Sequence, residues 1–146
     1  MRIFFLTMLL LIAFRSNAQN NHLDTANGRL AELRRTMDSA TLNKVELESE
    51  FPGGDAAWNR FLLQNMRYPS DAVKNNIEGT VVIQFIVDKD GAVSNIQAVK
   101  GPEDGGLREE AIRIIRKSGK WLPAIQYGRY VKSYKRQPFL FKLSNG

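Results

Sequence analysis

TVVIQFIVD, Thr80 to Asp88, is the stretch on which the fold turns. Val81, Ile83, Phe85 and Val87 fall on one parity, and Val82 and Ile86 fall on the other. Side chains alternate across a strand, so apolar residues on both parities predict a strand covered on both faces and central in its sheet. Asp88-Lys89-Asp90-Gly91 follows, and its Asp-Gly pair supplies the positive φ angles of a tight hairpin turn. Ala92 to Lys100 is then the return strand. Its apolar residues Val93, Ile96 and Ala98 break strict alternation, which predicts a β-bulge.

Upstream, Phe51-Pro52-Gly53-Gly54 reads as a turn, with Asp55 as the N-cap of a helix carrying Trp58, Phe61 and Leu62. Tyr68-Pro69 ends that helix. Ser70 caps a second, short one with Ala72, Val73 and Ile77 inward, and Gly79 closes it. Downstream, Gly101-Pro102 ends the return strand. A helix is expected over Leu107 to Ser118, with Leu107, Ala111, Ile114 and Ser118 on one stripe between Ile112 and Ile115. Glu109 and Arg113 are spaced as an i,i+4 pair, and Gly119 stands at C′.

After Trp121 and Pro123 the chain reads RYVKSYKRQPFLFKL, Arg129 to Leu143, a basic strand containing Pro138. Proline cannot donate to a ladder, so this strand belongs at a sheet edge or at a bulge. The whole predicts an α+β fold: a small three-stranded antiparallel sheet with helices packed on one face. The hairpin partner flanks the central strand on one side and the last strand on the other. Lys44-Val45-Glu46-Leu47-Glu48 alternates like an additional short N-terminal strand.

The chain opens with Arg2, a 12-residue, almost wholly apolar run from Ile3 to Phe14, and small residues at Ser16 and Ala18. This is the pattern of a secretory signal over residues 1–18, cleaved before Gln19. The rival is an uncleaved membrane anchor. A spanning helix needs about 20 apolar residues, and Arg15 stops the run short of that. Residues 19–50 form a polar leader in which Leu23, Leu30, Leu33 and Met37 could line a short helix across Gly28. The compact domain is expected over 51–146.

With Arg2 and Arg15 removed, 19 basic residues face 15 acidic ones. After Glu110 there is no acidic residue, while nine Lys and Arg follow. Such asymmetry favours acidic peptides, anionic polymers or lipid headgroups as partners, or a merely solvated basic surface. Nucleic acid is a poor candidate for an exported domain without a binding motif.

Nothing in the sequence assembles a catalyst. There is no Cys, and the one His is His22 in the leader. Asp88 and Asp90 lack the further ligands of a calcium loop. The doublets Glu103-Asp104 and Glu109-Glu110 do not converge as hydrolytic carboxylates must. We expect no enzyme, no metal and no cofactor. What remains is an exposed edge carrying positive charge, to which an extended peptide can add as a strand. Protection of that edge by Lys and Pro is the competing account.

The ordered set Phe51-Pro52-Gly53-Gly54, Tyr68-Pro69, Gly79-x-Val81-x-Ile83-x-Phe85-x-Val87-Asp88-x-Asp90-Gly91, Glu110-Ala111, Trp121-x-Pro123, Gly128 and Pro138-x-x-Phe141-x-Leu143 resembles the C-terminal domain of TonB, the periplasmic energy transducer of Gram-negative bacteria. The resemblance implies capture of the TonB box, a short peptide of outer-membrane receptors, on the last strand. By position that strand is Tyr130, Val131, Lys132, Ser133, Tyr134, Lys135, Arg136 and Gln137, with Tyr68 and Pro69 close to the docked peptide. Lys132, Lys135 and Arg136 would attract acidic residues near the box. The family couples to inner-membrane motor proteins through a membrane helix and a Pro-rich spacer, neither of which is visible here; by this resemblance an uncleaved N-terminus would anchor the chain in the inner membrane with its domain on the periplasmic side. The alternative is a stand-alone envelope domain that contacts peptidoglycan or forms a homodimer through its edges. If residues 45–50 paired with 131–137, they would fill the docking edge.

Overall fold

The computed structural model describes residues 27–37 and 46–144. The signal segment, Leu23 and His22 in the leader, and Lys44 and Val45 lie outside the described residues. Helix α1 spans 27–36, and strand β1 is Glu46–Leu47. Helices α2 (Gly54–Asn65) and α3 (Ser70–Lys74) precede strands β2 (Gly79–Val87) and β3 (Val93–Lys100). Helix α4 (Leu107–Lys117) leads to β4 (Ala124–Gln126), β5 (Arg129–Val131) and β6 (Ser133–Phe141). The main sheet is antiparallel in the order β3-β2-β6, so β2 is central as its composition predicts.

Val81, Ile83, Phe85 and Val87 of β2 are completely buried against Trp58 of α2 and Leu107, Ala111, Ile114 and Ile115 of α4. Phe139 and Phe141 of β6 join the same core. The second face of β2 departs from expectation: Val82, Gln84 and Ile86 are only half-buried. Among the described residues the core-building helices lie on the other face, and Val82 and Ile86 have Lys100 and Ser94 of β3 and Pro138 and Tyr134 of β6 as their strand neighbours. Both parities are apolar, but among the described residues one face of the sheet is open.

The hairpin turn forms as read. Asp88 N–H donates to the Ala92 carbonyl (2.9 Å), the Asp90 carboxylate accepts from Ala92 N–H (3.0 Å), and Gly91 takes φ 83°. The predicted bulge is present: the β2–β3 register shifts between Val82 and Ile83 and again between Gln84 and Ile86. Asn95 adopts φ 52° nearby, a left-handed conformation that Asn tolerates better than most residues. Gly101, which ends β3 at φ 125°, passes so close to β2 that a Cβ would stand 2.9 Å from the Val81 Cα.

The helix ends differ from the sequence reading in detail. Gly53, not Asp55, occupies the N-cap of α2, and Asp55 sits in the first turn, where its charge complements the helix dipole. Pro69, not Ser70, precedes α3, and Val73 is exposed while Ala72 is buried. On α4 the ion pair joins Glu110, not Glu109, to Arg113 at 2.7 Å, because Glu110 lies on the half of the helix turned toward α2. Ser118 is the C-cap and Gly119 takes φ 74° beyond it.

The closing segment is two strands rather than one. It breaks at Lys132: Arg129–Val131 pairs with β4 in a smaller sheet ordered β1-β4-β5, and Ser133–Phe141 pairs with β2. Tyr127 and Gly128 turn the β4–β5 hairpin with φ 50° and 67°, the doubly left-handed geometry of a tight hairpin. Helix α1 includes Gly28 and anchors here. Leu30 is buried, and Arg34 Nη2 donates to the Gly128 carbonyl at 3.1 Å.

Candidate functional site

The outer flank of β6 is the feature on which function can be built. β6 pairs with β2 through nine consecutive positions, Gly79↔Phe141 to Val87↔Ser133, with no register shift. Among the described residues no strand lies on its other side. Along β6, Ser133, Lys135, Gln137, Phe139 and Phe141 face the helices; Tyr134, Arg136, Pro138 and Leu140 face the open side. Pairing runs through Pro138 without interruption, so its nitrogen must point away from β2. Leu143 N–H, of the opposite parity, accordingly turns back to the Glu78 carboxylate. Tyr134 and Arg136 share the parity of Pro138 and therefore direct their N–H and C=O groups outward, a ready template for another strand.

Residues 46–50 leave this flank uncovered. Glu46 and Leu47 pair with Gln126 and Ile125 of β4, and Glu50 bridges Leu122. The segment only touches the helix-facing side of β6: Ser49 Oγ is 3.2 Å from Ser133 Oγ, and Glu48 accepts from Lys135 Nζ at 3.4 Å. The arrangement in which 45–50 pairs with 131–137 is thus replaced by pairing with β4, a strand the sequence reading did not anticipate.

The three basic residues expected to attract acidic peptides are not equivalent. Lys132 pairs with Asp88 at 3.7 Å and Lys135 with Glu48 at 3.4 Å. Arg136 makes one hydrogen bond among the described residues, from Nε to the Gln84 amide oxygen at 3.0 Å. Tyr130 and Val131 lie in β5, opposite Ile125 and Ala124, and so outside the continuous flank that Ser133 to Gln137 belongs to. Burial pushes the Tyr130 phenol above its ordinary value, opposed by the nearby Arg29 and Arg34 cations.

Tyr68 and Pro69 stand at the far end of β6. The Tyr68 ring meets Phe141 edge-on at 5.8 Å, and its hydroxyl donates to the Ile77 carbonyl at 2.7 Å. Burial raises its phenol, with Glu78 adding to the shift. At about 3.3 Å per residue, Phe141 is roughly 13–27 Å along the strand from Gln137 and Ser133. The structure therefore brings Ser133–Gln137 together but not Tyr68 and Pro69 with them. Tyr68-Pro69 instead lines a groove of about 370 Å³ with Arg67, Gly106, Glu109, Glu110 and Arg113.

Sequence reasoning missed two elements around the site. One is the β4–β5 hairpin, whose local signal was Gly128 in the turn after Gln126-Tyr127. The other is the Glu110 latch, which takes Arg113 Nε and Nη2 and the Arg67 N–H, each at 2.7 Å. Burial alone would raise the Glu110 carboxyl, but these donors outweigh it and hold it below the usual range. The same contact raises the Arg113 guanidinium.

No helix among the described residues is long and apolar enough to cross a membrane. None of the curated proteins matches the chain. Among solved structures, it is similar to the Helicobacter pylori TonB C-terminal domain, residues 179–285, at 23% identity and TM-score 0.47, over 60% of this chain and 78% of that one. A shorter piece of the same protein, residues 194–285, gives 22% identity and TM-score 0.47 over 62% and 95%. The profile described as Gram-negative bacterial TonB protein C-terminal matches residues 64–143. That span runs from the end of α2 to just past β6 and covers more than half of the sequence, so the chain belongs to the TonB C-terminal family, a non-enzymatic family of envelope transport.

Proposed function

We propose that this domain works in the periplasm by capturing the box peptide of an outer-membrane receptor as an added strand on the free flank of β6, in TonB-dependent transport. The observation that carries this reading is the contrast between the two edges of the main sheet. The β3 edge is distorted by two register shifts and a left-handed Asn95, devices that discourage pairing. The β6 edge is regular over nine pairs and is interrupted only by Pro138. Main-chain hydrogen bonds supply affinity in such additions, and alternate side chains supply selectivity.

Tyr134→Pro is the test. Pro138 shows that a ring at this parity is compatible with β2 pairing, so the fold is expected to survive while the outward Tyr134 donor is lost. Affinity for a synthetic receptor-box peptide, measured by fluorescence anisotropy, should fall about tenfold, against a small change for Tyr134→Ala. Unchanged affinity in the proline variant, with an intact circular dichroism spectrum, overturns the reading. Concentration-dependent dimerisation without peptide binding would support an envelope structural role instead.

A further inference from the structure

We infer that β6 reads the parity of an acidic residue in the peptide it captures: the acid lies opposite Arg136 on the open face of the sheet, with apolar residues two positions away on either side. This rests on the strand-addition reading above. Residues directly opposite on neighbouring strands share a face, so the open-face chemistry of β6 is what half of the peptide's side chains meet.

That face is apolar and cationic. Tyr134 and Leu140 are 70% and 69% exposed, and between them lie Arg136 and Pro138. Behind them on β2, Val82 pairs with Pro138 and Ile86 with Tyr134, while Gln84 pairs with Arg136. On β3, Lys100 is the partner of Val82, adding a second cation. Among the described residues no carboxylate reaches Arg136: Gln84 accepts from its Nε, a neutral contact that leaves the guanidinium charge uncompensated. A bidentate approach to the remaining nitrogens suits a carboxylate better than any other peptide group. The same excess of positive charge argues against a second copy of this chain stacking face to face.

The helix-facing parity has the opposite character. Lys135 is already paired with Glu48. Lys135 and Gln137 share a small cavity with Glu50 and Asp55. Glu50 is itself paired with Arg29 at 3.5 Å, so a peptide carboxylate on this side meets cations that are already compensated, with Asp55 beside them. Because strand side chains alternate, displacing the acid by one residue exchanges a face with an uncompensated guanidinium for one whose cations are already paired.

The test uses two synthetic peptides of identical composition, matched to the 9-residue length of β6. One carries Glu at its centre with Val two residues to either side; the other has that Glu moved by one position. Anisotropy titrations at low salt should show the first binding about three- to fivefold tighter. Arg136→Glu should reduce binding of the first peptide by about tenfold, and changing the peptide Glu to Lys should restore it. Lys132→Glu and Lys135→Glu should leave the preference between the two peptides in place. Equal affinities for the two peptides, or no rescue in the charge swap, overturn the inference and leave strand addition standing. Failure of both peptides and of a receptor-box peptide to bind overturns strand addition and this inference with it.

Discussion

Trp121→Ala is expected to lower the free energy of unfolding by about 3–5 kcal/mol, a large share of the stability of a domain this size. Trp121 is 1% exposed. Its ring lies 5.0 Å from Phe85 of β2, 5.4 Å from Trp58 of α2 and 5.7 Å from Phe51, so one side chain joins the central strand to the first helix and the turn before it. Its backbone N–H donates to the Gly91 carbonyl at 2.9 Å, fixing the β2–β3 hairpin. Its Nε1 donates to Ser118 Oγ at 2.9 Å, fixing the end of α4. Alanine keeps the first of these bonds and loses everything else. The cavity cannot collapse readily, because its walls are rigid aromatic rings from three different elements. Trp121→Phe keeps most of the ring packing and removes only the Nε1 donor to Ser118 Oγ, whose hydroxyl still donates to the Ile115 carbonyl at 2.7 Å, so its cost should be about 1 kcal/mol. Urea denaturation followed by circular dichroism measures both. A Trp121→Ala loss below about 1 kcal/mol would mean that the aromatic cluster is not the keystone of the core.

Trp121 also shows what the sequence could and could not reveal. The central position of β2, the Asp-Gly hairpin, the bulge in β3 and the stripe on α4 are local patterns, and each was legible because periodicity or turn chemistry acts over a few residues. So was the edge position of β6, marked by Pro138. The division of Arg129–Leu143 at Lys132 was not legible, because its residues are equally strand-like on both sides of the break. What divides them is the partner: β4 for Arg129–Val131 and β2 for Ser133–Phe141. β4 itself is three residues long and carries no periodic signal. The fate of residues 46–50 depended on that unseen strand, so the state of the docking flank could not be decided beforehand. Charge was legible as a total and not as a site. Lys132, Lys135 and Arg136 look alike in sequence, and only their distances to Asp88, Glu48 and Gln84 single out Arg136.

Glu110→Ala is expected to cost about 3 kcal/mol at neutral pH, because it leaves a partly buried Arg113 and the Arg67 N–H without their acceptor. Glu110→Gln, which keeps the shape and one acceptor, should cost about 2 kcal/mol. The wild-type carboxyl is held below its ordinary range, since its donors outweigh the penalty of burial. A carboxyl depressed in the folded state contributes its stability above the unfolded-state pKa, near 4.3, and loses it as the pH falls toward the folded-state value. Other carboxylates titrate in the same window, so the informative quantity is the difference between wild type and variant. That difference should be constant from about pH 7 to about pH 5 and shrink below it. A difference independent of pH would show that the latch works by shape and not by charge. The latch ties the segment after α2 to α4 and, through Tyr68, supports the Phe141 end of β6. The proposed docking positions Ser133 to Gln137 lie at the other end of that strand. Glu110→Gln should therefore leave peptide affinity at neutral pH within about twofold of wild type while stability falls. Parallel losses of both would mean that the groove beside Tyr68 and Pro69 takes part in capture.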